Sequence, residues 1–401
     1  MGGTLIIGAG QAGASLGEKL RAEGYDQPIT LIGDEPVPPY ERPPLSKAYL
    51  MGEMAEERLY LRPPAIYADR DIALKLGTAV QSIDTEAKSV TVGDEVLTYD
   101  HLALTTGSIP NRLPAAVGGD LGGVYTVRTL ADIDHIRPRF QPGARVLVVG
   151  GGYIGLEAAA VAAKLGLSVT LVEMTARILG RVAAKETADV IRARHHLEGV
   201  DIREGIGLRE LSGDGAVSAA TLTNDETLSV DFVIVGTGIR PDTRLAEAAG
   251  IACDNGITVD EFGCTSAPQI WAAGDCANFP YKRGRLRLES VQNAIDQAEN
   301  VALNITGANV PYVPYPWFWS DQYDLKLQIA GLNTGYDQVV VRQVGDGISH
   351  WYFKEGSFLA VDAINAARDY MVGKRLLEMG KTITPEAAAD PDTNLKALLR
   401  A

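Results

Sequence analysis

Cysteine is scarce in this chain, and its placement removes several chemistries at once. Only Cys253, Cys264 and Cys276 occur in 401 residues, with no Cys-x-x-Cys pair and no metal-ligand spacing. They build neither a disulfide framework nor a structural zinc site, and no metal centre is expected. Long apolar runs are also lacking, since none approaches the ~20 residues that a membrane helix needs. Basic residues are outnumbered 37 to 51, a net charge of −14, which argues against a general nucleic-acid partner. The opening Met-Gly-Gly leads straight into a strand-like stretch and leaves no room for a signal peptide. These absences predict a reduced, cytoplasmic protein without membrane or nucleic-acid partners, present as a monomer or homodimer. With 46% hydrophobic and 22% charged residues the chain is globular, and its length calls for two or three domains.

What is present is organised around Val146 to Glu173. Val146, Leu147, Val148 and Val149 have the length of a buried strand, and Gly150, Gly152 and Gly155 follow in GxGxxG spacing. Ile154, Ala158, Val161 and Leu165 then recur at helical spacing, and a second apolar run from Val169 stops at Glu173. The glycines permit a tight turn, close approach of backbone to a pyrophosphate, and close packing of helix on strand. A helix N-terminus offers free N–H groups and a positive dipole end to phosphates. Glu173 is placed to accept hydrogen bonds from a ribose and to repel a 2′-phosphate, which favours NAD over NADP.

The same pattern occurs earlier. Thr4 to Ile7 runs into Gly8, Gly10 and Gly13, a helix carries Leu16 and Leu20, and Ile29 to Ile32 ends at Gly33-Asp34-Glu35. Gly33 stands where Glu173 stands in the other copy, so the ribose partner is Asp34 or Glu35. Two such units predict two nucleotides on two similar domains. The Leu104-Thr105-Thr106-Gly107 stretch resembles Val235-Gly236-Thr237-Gly238. The pair marks where the chain leaves one domain and returns, with the second nucleotide domain inserted in the first. The fold class predicted is α/β, with two Rossmann-type nucleotide-binding domains and a small α+β C-terminal domain.

Between these units, the proline-dense Pro38–Lys47 loop is stiff, and Lys47 is its functional group or an ordinary surface lysine. Gly274-Asp275 ends a strand and can place a carboxylate beside a sugar or ribitol hydroxyl. Tyr281 to Arg287 is the densest basic cluster, and a helix opens near Glu289. From Pro311 the composition shifts to Trp317-Phe318-Trp319-Ser320-Asp321-Gln322 and a run of short strands. The tail from Pro385 is polar and reads as loosely held. His195-His196 and the other histidines suggest no metal site or triad.

These residues resemble the FAD-dependent, NADH-dependent ferredoxin reductases that feed bacterial oxygenases. The resemblance spans essentially the whole chain and rests on Arg42-Pro43-Pro44-Leu45-Ser46-Lys47, Gly150 to Glu157, Gly274-Asp275-Cys276 and Trp317 to Gln322. It implies a glutathione-reductase-like architecture: an FAD-binding domain at 1–108 and 237–311, an NAD-binding domain at 109–236, and a C-terminal interface domain at 312–401. The first glycine motif, with Asp34 or Glu35, would hold FAD. So would Arg42, Thr106, Gly107, Arg128, Asp275, the Val291 backbone and Trp319, with Lys47 near the isoalloxazine ring. Gly150, Gly152, Gly155 and Glu173 fall to NADH, Glu157 would contact the nicotinamide carboxamide, and Gly238 is a further cofactor-binding residue. Lys47 and Glu157 are the expected catalytic pair, since a lysine buried near the flavin needs a counter-charge.

The resemblance also frames the electron exit. Disulfide-reducing relatives carry cysteines in the loop occupied here by residues 34–47, which has none. Electrons would therefore pass outward to a [2Fe-2S] ferredoxin, docked through Arg62, Lys326 or the Arg283–Arg287 cluster, with Arg285 and Arg287 foremost. Alternative readings are an NADH oxidase or quinone reductase, and a redox-sensing flavoprotein of the apoptosis-inducing-factor type.

Overall fold

The computed structural model describes residues 2–282 and 284–400. The chain forms two compact units. The first comprises residues 1–42, 54–109 and 239–314, and the second Pro43–Glu53, Pro110–Gly238 and Tyr315–Ala401.

The first unit is built on a parallel five-stranded sheet in the order Ile270–Ala272, His101–Leu104, Thr4–Ile7, Ile29–Ile32, Ile72–Lys75. Its strands read as continuous apolar runs because both faces are covered, as parallel sheets require. Helix Gln11–Ala22 puts Leu16 and Leu20 into the core with Ile6, Ile29 and Leu31, and helix Val291–Ile305 adds Ala298 and Val301. Ser290 caps the latter helix by accepting the Asn293 N–H at 3.2 Å. The helix thus opens at Val291, two residues beyond the Glu289 expected from sequence.

The second unit repeats the plan. Asp201–Glu204, Ser168–Glu173, Arg145–Val149, Phe232–Val235 and Val124–Tyr125 form a parallel sheet in that order. Helix Tyr153–Lys164 follows its glycine turn. The chain leaves the first unit after Ile109 and re-enters it at Ile239, so the second parallel sheet is an insertion.

The C-terminal part of the second unit is an antiparallel five-stranded sheet, ordered Trp317–Gln322, Leu325–Gly331, Ser357–Ile364, Gly347–Lys354, Gln338–Val344. Helix Ala367–Glu378 packs on it through Tyr370, Val372 and Leu376. The expectation of a loose tail is corrected here. Helices Pro385–Ala389 and Leu395–Leu398 bury Ala388 and Leu395 in this core. The buried Arg342 guanidinium donates to the carbonyls of Asp390, Pro391 and Thr393, which ties the intervening turn down. The tail's polar composition hid two apolar anchors too widely spaced to register as a helix face. Among the described residues no helix is long and apolar enough to cross a membrane.

Candidate functional site: two glycine turns and a buried carboxylate

Both glycine turns have the same physical logic. Gly8 and Gly150 have φ of +113° and +108°, where a side chain would be strained. A Cβ on Gly13 or Gly155 would lie 2.1 Å from the carbonyl oxygen of Gly8 or Gly150. These four are glycines because the protein's own backbone leaves no space. Gly10 and Gly152 are different, since a Cβ on either would meet nothing within 4 Å. Each is the N-cap of its helix, with no side chain capping the first turn. A turn kept bare on its open side, over unclaimed N–H groups, fits a dinucleotide pyrophosphate in both units.

The acidic partners differ. Glu173 Oε2 accepts the Gly151 N–H at 2.7 Å, and Oε1 accepts the Thr175 N–H and hydroxyl at 2.8 and 2.7 Å. This holds the carboxylate beside the turn. In the first unit a Cβ on Gly33 would lie 2.6 Å from Ala9 Cβ, so the equivalent position carries no side chain. Glu35 instead pairs with Arg42 at 2.7 Å and accepts the Tyr40 hydroxyl at 2.7 Å, while Asp34 is exposed. Burial works against the Arg42 charge, but Tyr40, Glu35 and Asp275 outweigh it and hold the guanidinium above its ordinary range.

Asp275 accepts the Ser108 hydroxyl at 2.8 Å, and its backbone carbonyl accepts the Arg287 guanidinium at 3.1 Å. Thr106 donates its hydroxyl to the Asp242 carbonyl at 2.6 Å, and Gly107 and Gly238 have φ of +67° and +98°. The buried Thr105 hydroxyl is satisfied by the carbonyls of Gly8 and Ile7. Its proton therefore braces the first glycine turn. The Arg128 N–H donates to Asp132, in the capping box of helix Leu130–Ile136. Val291 is the first residue of its helix. Trp319 is half-buried in strand Trp317–Gln322, tilted against Trp317 and Phe318.

Lys47 and Glu157 come together in the second unit. Lys47 Nζ lies 2.8 Å from Glu157 Oε2, with side-chain exposures of 21% and 4%. Lys47 sits in a single π-helical turn, Leu45–Tyr49, at non-helical φ −130° and ψ −111°. Two partners were not anticipated from sequence. The Ser46 hydroxyl donates to Glu157 Oε2 at 2.8 Å, and the Ser320 hydroxyl donates to Oε1 at 2.7 Å. The signal for Ser320 was strand alternation, which puts Phe318, Ser320 and Gln322 on one face. A buried carboxylate that accepts from a cation and two hydroxyls is fixed in direction.

The docking candidates separate. Lys326 is exposed, and the half-exposed Arg62 makes a 3.5 Å ion pair with Glu18. Arg285 donates to the carbonyls of Val259 and Asn278, and Arg287 pairs with Glu289 at 2.6 Å, so both guanidinium groups are committed inside the first unit. Arg283 lies outside the described residues. The three thiols are free. Burial pushes Cys253 and Cys264 up to about 11, and Cys276 is fully buried.

The chain belongs to the pyridine nucleotide-disulphide oxidoreductase family, whose pattern matches residues 3–298, followed by a reductase C-terminal domain at 317–399. It is accordingly an oxidoreductase and a flavoprotein, and FAD and NAD(H) are the cofactors of its class. More particularly, it is similar to a ferredoxin--NAD(P)(+) reductase of Sphingomonas sp, 43% identical over 98% of this chain and 96% of that one. It is also similar to the rhodocoxin reductase of Rhodococcus erythropolis, 42% identical over 98% and 93%, and the putidaredoxin reductase of Pseudomonas putida, 40% identical over 99% and 96%. Among solved structures, a covalent putidaredoxin reductase–putidaredoxin complex matches with TM-score 0.95 and 38% identity, over 100% of this chain and 98% of that one.

Proposed function

We propose that this chain takes a hydride from NADH and delivers single electrons to a [2Fe-2S] ferredoxin that supplies an oxygenase. The observation that carries the reading is the paired glycine turns, each bare over its middle glycine, in a chain with no cysteine in residues 34–47. FAD, when bound, supplies the step from a two-electron donor to one-electron acceptors.

The residues divide between two tasks. Gly8, Gly10 and Gly13 admit the FAD pyrophosphate, and Glu35, anchored by Arg42 and Tyr40, keeps lone pairs free for the adenosine ribose. Asp275, Thr106, Gly107 and Val291 complete that side, and Arg128, Lys47 and Trp319 are assigned to FAD by resemblance. Gly150, Gly152, Gly155 and Glu173 hold NADH, with Glu173 selecting against a 2′-phosphate, and Gly238 is a further cofactor-binding residue. Glu157, fixed by Lys47, Ser46 and Ser320, orients the nicotinamide carboxamide, and orientation carries much of a hydride-transfer rate. On this reading 1–108 with 237–311 is the FAD domain, 109–236 the NAD domain and 312–401 the interface domain.

An acidic ferredoxin would be steered by exposed basic groups. Arg62 and Lys326 remain candidates, whereas Arg285 and Arg287 are engaged internally. The test is anaerobic reduction with NADH followed by mixing with [2Fe-2S] ferredoxins. Flavin bleaching by NADH and stoichiometric ferredoxin reduction are expected. A chain that bleaches but reduces only oxygen or quinones would replace this reading with the oxidase alternative.

A further inference from the structure

Glu157 is the inner end of a longer hydrogen-bonded chain. Beyond Ser320, the Gln322 amide donates from Nε2 to the Ser320 oxygen at 3.2 Å. His195, from helix Lys185–Leu197, stands with Nε2 2.8 Å from Gln322 Oε1. The Tyr323 hydroxyl lies 3.2 Å from His195 Nδ1, at the partly exposed end. Glu157, Ser320, Gln322 and His195 are all buried, with 3%, 1%, 3% and 0% exposure.

The direction of every bond is set from the inner end. An ion-paired carboxylate only accepts, so Ser320 must donate to it. The Ser320 oxygen is then free to accept, which turns the Gln322 NH2 toward it and the Gln322 carbonyl toward His195. A carbonyl only accepts, so His195 carries its proton on Nε2, and Nδ1 is left to accept from Tyr323. Each group has one consistent arrangement, and a break anywhere along the chain loosens the groups between it and Glu157. The groups facing His195 are Arg194, His196 and Glu198 on its own helix and Gln322 and Tyr323 on the strand side. Those facing Glu157 are Lys47, Ser46, Ser320 and Tyr153. Burial lowers His195 to about 4, which keeps the imidazole neutral in its chain.

We propose that Ser320, Gln322, His195 and Tyr323 are positioning residues for NADH, acting through Glu157 by fixing the orientation of its carboxylate. The proposal rests on Glu157 being part of the NADH site. It gives a purpose to the Trp317–Gln322 segment that packing alone does not supply: Ser320 and Gln322 are buried polar groups retained where apolar ones would fill the same volume.

The test uses FAD-loaded enzyme carrying 15N-labelled histidine. Parent enzyme should show His195 as a single Nε2–H tautomer. Gln322→Leu should give mixed tautomers and raise the KM for NADH about tenfold, the loss expected when a misaligned Glu157 carboxylate gives up its one hydrogen bond to the carboxamide. That KM is measured with ferricyanide as acceptor. Dithionite-reduced Gln322→Leu should still pass electrons to ferredoxin at the parental rate, a split that general loosening would not give. Tyr323→Phe removes one partly exposed hydroxyl and guards against misfolding of the first variant: it should keep the Nε2–H tautomer that the Gln322 carbonyl imposes and raise the KM in the same direction by a smaller factor. A parent without the Nε2–H tautomer, or a KM unmoved in Tyr323→Phe and folded Gln322→Leu, overturns the proposal. Parent enzyme that fails to oxidise NADH at all overturns the functional reading itself.

Discussion

Glu173 Oε2 accepts the backbone N–H of Gly151, the residue between the first two glycines of the second turn, at 2.7 Å. The acid that ends the strand is therefore fastened to the turn it serves. Glu173→Gln keeps an acceptor but removes the charge. We expect kcat/KM for NADH to fall about tenfold and the preference over NADPH to narrow, because a hydrogen bond to a charged group contributes about 1.5–3 kcal/mol. Steady-state rates with both nucleotides check this.

Glu157→Ala should slow reduction by NADH while the enzyme retains FAD. It also leaves Lys47 without its carboxylate. Breaking a buried pair costs about 3–5 kcal/mol, and the 21% exposure of Lys47 places this case below that range. Stopped-flow hydride transfer matching the parent would remove Glu157 from the site.

Two glycine substitutions in the first turn should fail in different ways. Gly10→Ala has space for its methyl group on the protein side, so the apoprotein should fold normally and take up little FAD. Gly13→Ala would drive a Cβ to 2.1 Å from the Gly8 carbonyl oxygen, and should lower the melting temperature of the apoprotein itself. Flavin content and apoprotein melting separate the two.

Acid stability should reflect three buried groups in the second unit. Burial lowers His195 and His350 to about 4, below their usual 6.5, so the unfolded chain binds more protons between these values. Each histidine then costs about 1.4 kcal/mol per pH unit as pH falls through that window. Burial raises Asp362 to about 6 from 3.8, despite hydrogen bonds from Tyr352 and Thr187, so its contribution runs the other way and is lost as pH rises from about 4 to about 6. Two terms against one leave net destabilisation below about pH 6.5. Asp362→Asn should steepen the acid loss, read by denaturant unfolding across pH 4 to 7.

Thiols should be dispensable for turnover. Cys253→Ser with Cys264→Ser should reduce ferredoxin at the parental rate, because both thiols are held protonated near neutral pH and lie far in sequence from the glycine turns. Loss of ferredoxin reduction with NADH bleaching intact would restore a thiol relay.

The two strand–turn–helix units are legible in the sequence for a local reason. Each glycine of the two turns answers to neighbours within its own strand–turn–helix unit, so spacing alone carries the information. The same holds for the exit and return stretches around Gly107 and Gly238. That Glu35 rather than Asp34 meets Arg42 and Tyr40 was not legible, because it depends on how far those two side chains reach. Ser320 was harder still, since it is 163 residues from Glu157 in sequence and any buried strand serine reads alike. The tail was misjudged because two short helices with one buried residue apiece leave no periodic trace.

That tail has a practical consequence for anyone shortening the chain. The Arg342 guanidinium finds its acceptors in the backbone of Asp390, Pro391 and Thr393 rather than in their side chains. Sequence changes there should be tolerated, whereas clipping the polypeptide before Asp390 would leave the buried guanidinium with only its 3.5 Å ion pair to Asp369 in place of three carbonyl acceptors. A protease cut at that point should therefore act as an unfolding event, and a peptide fused beyond Leu399 should not.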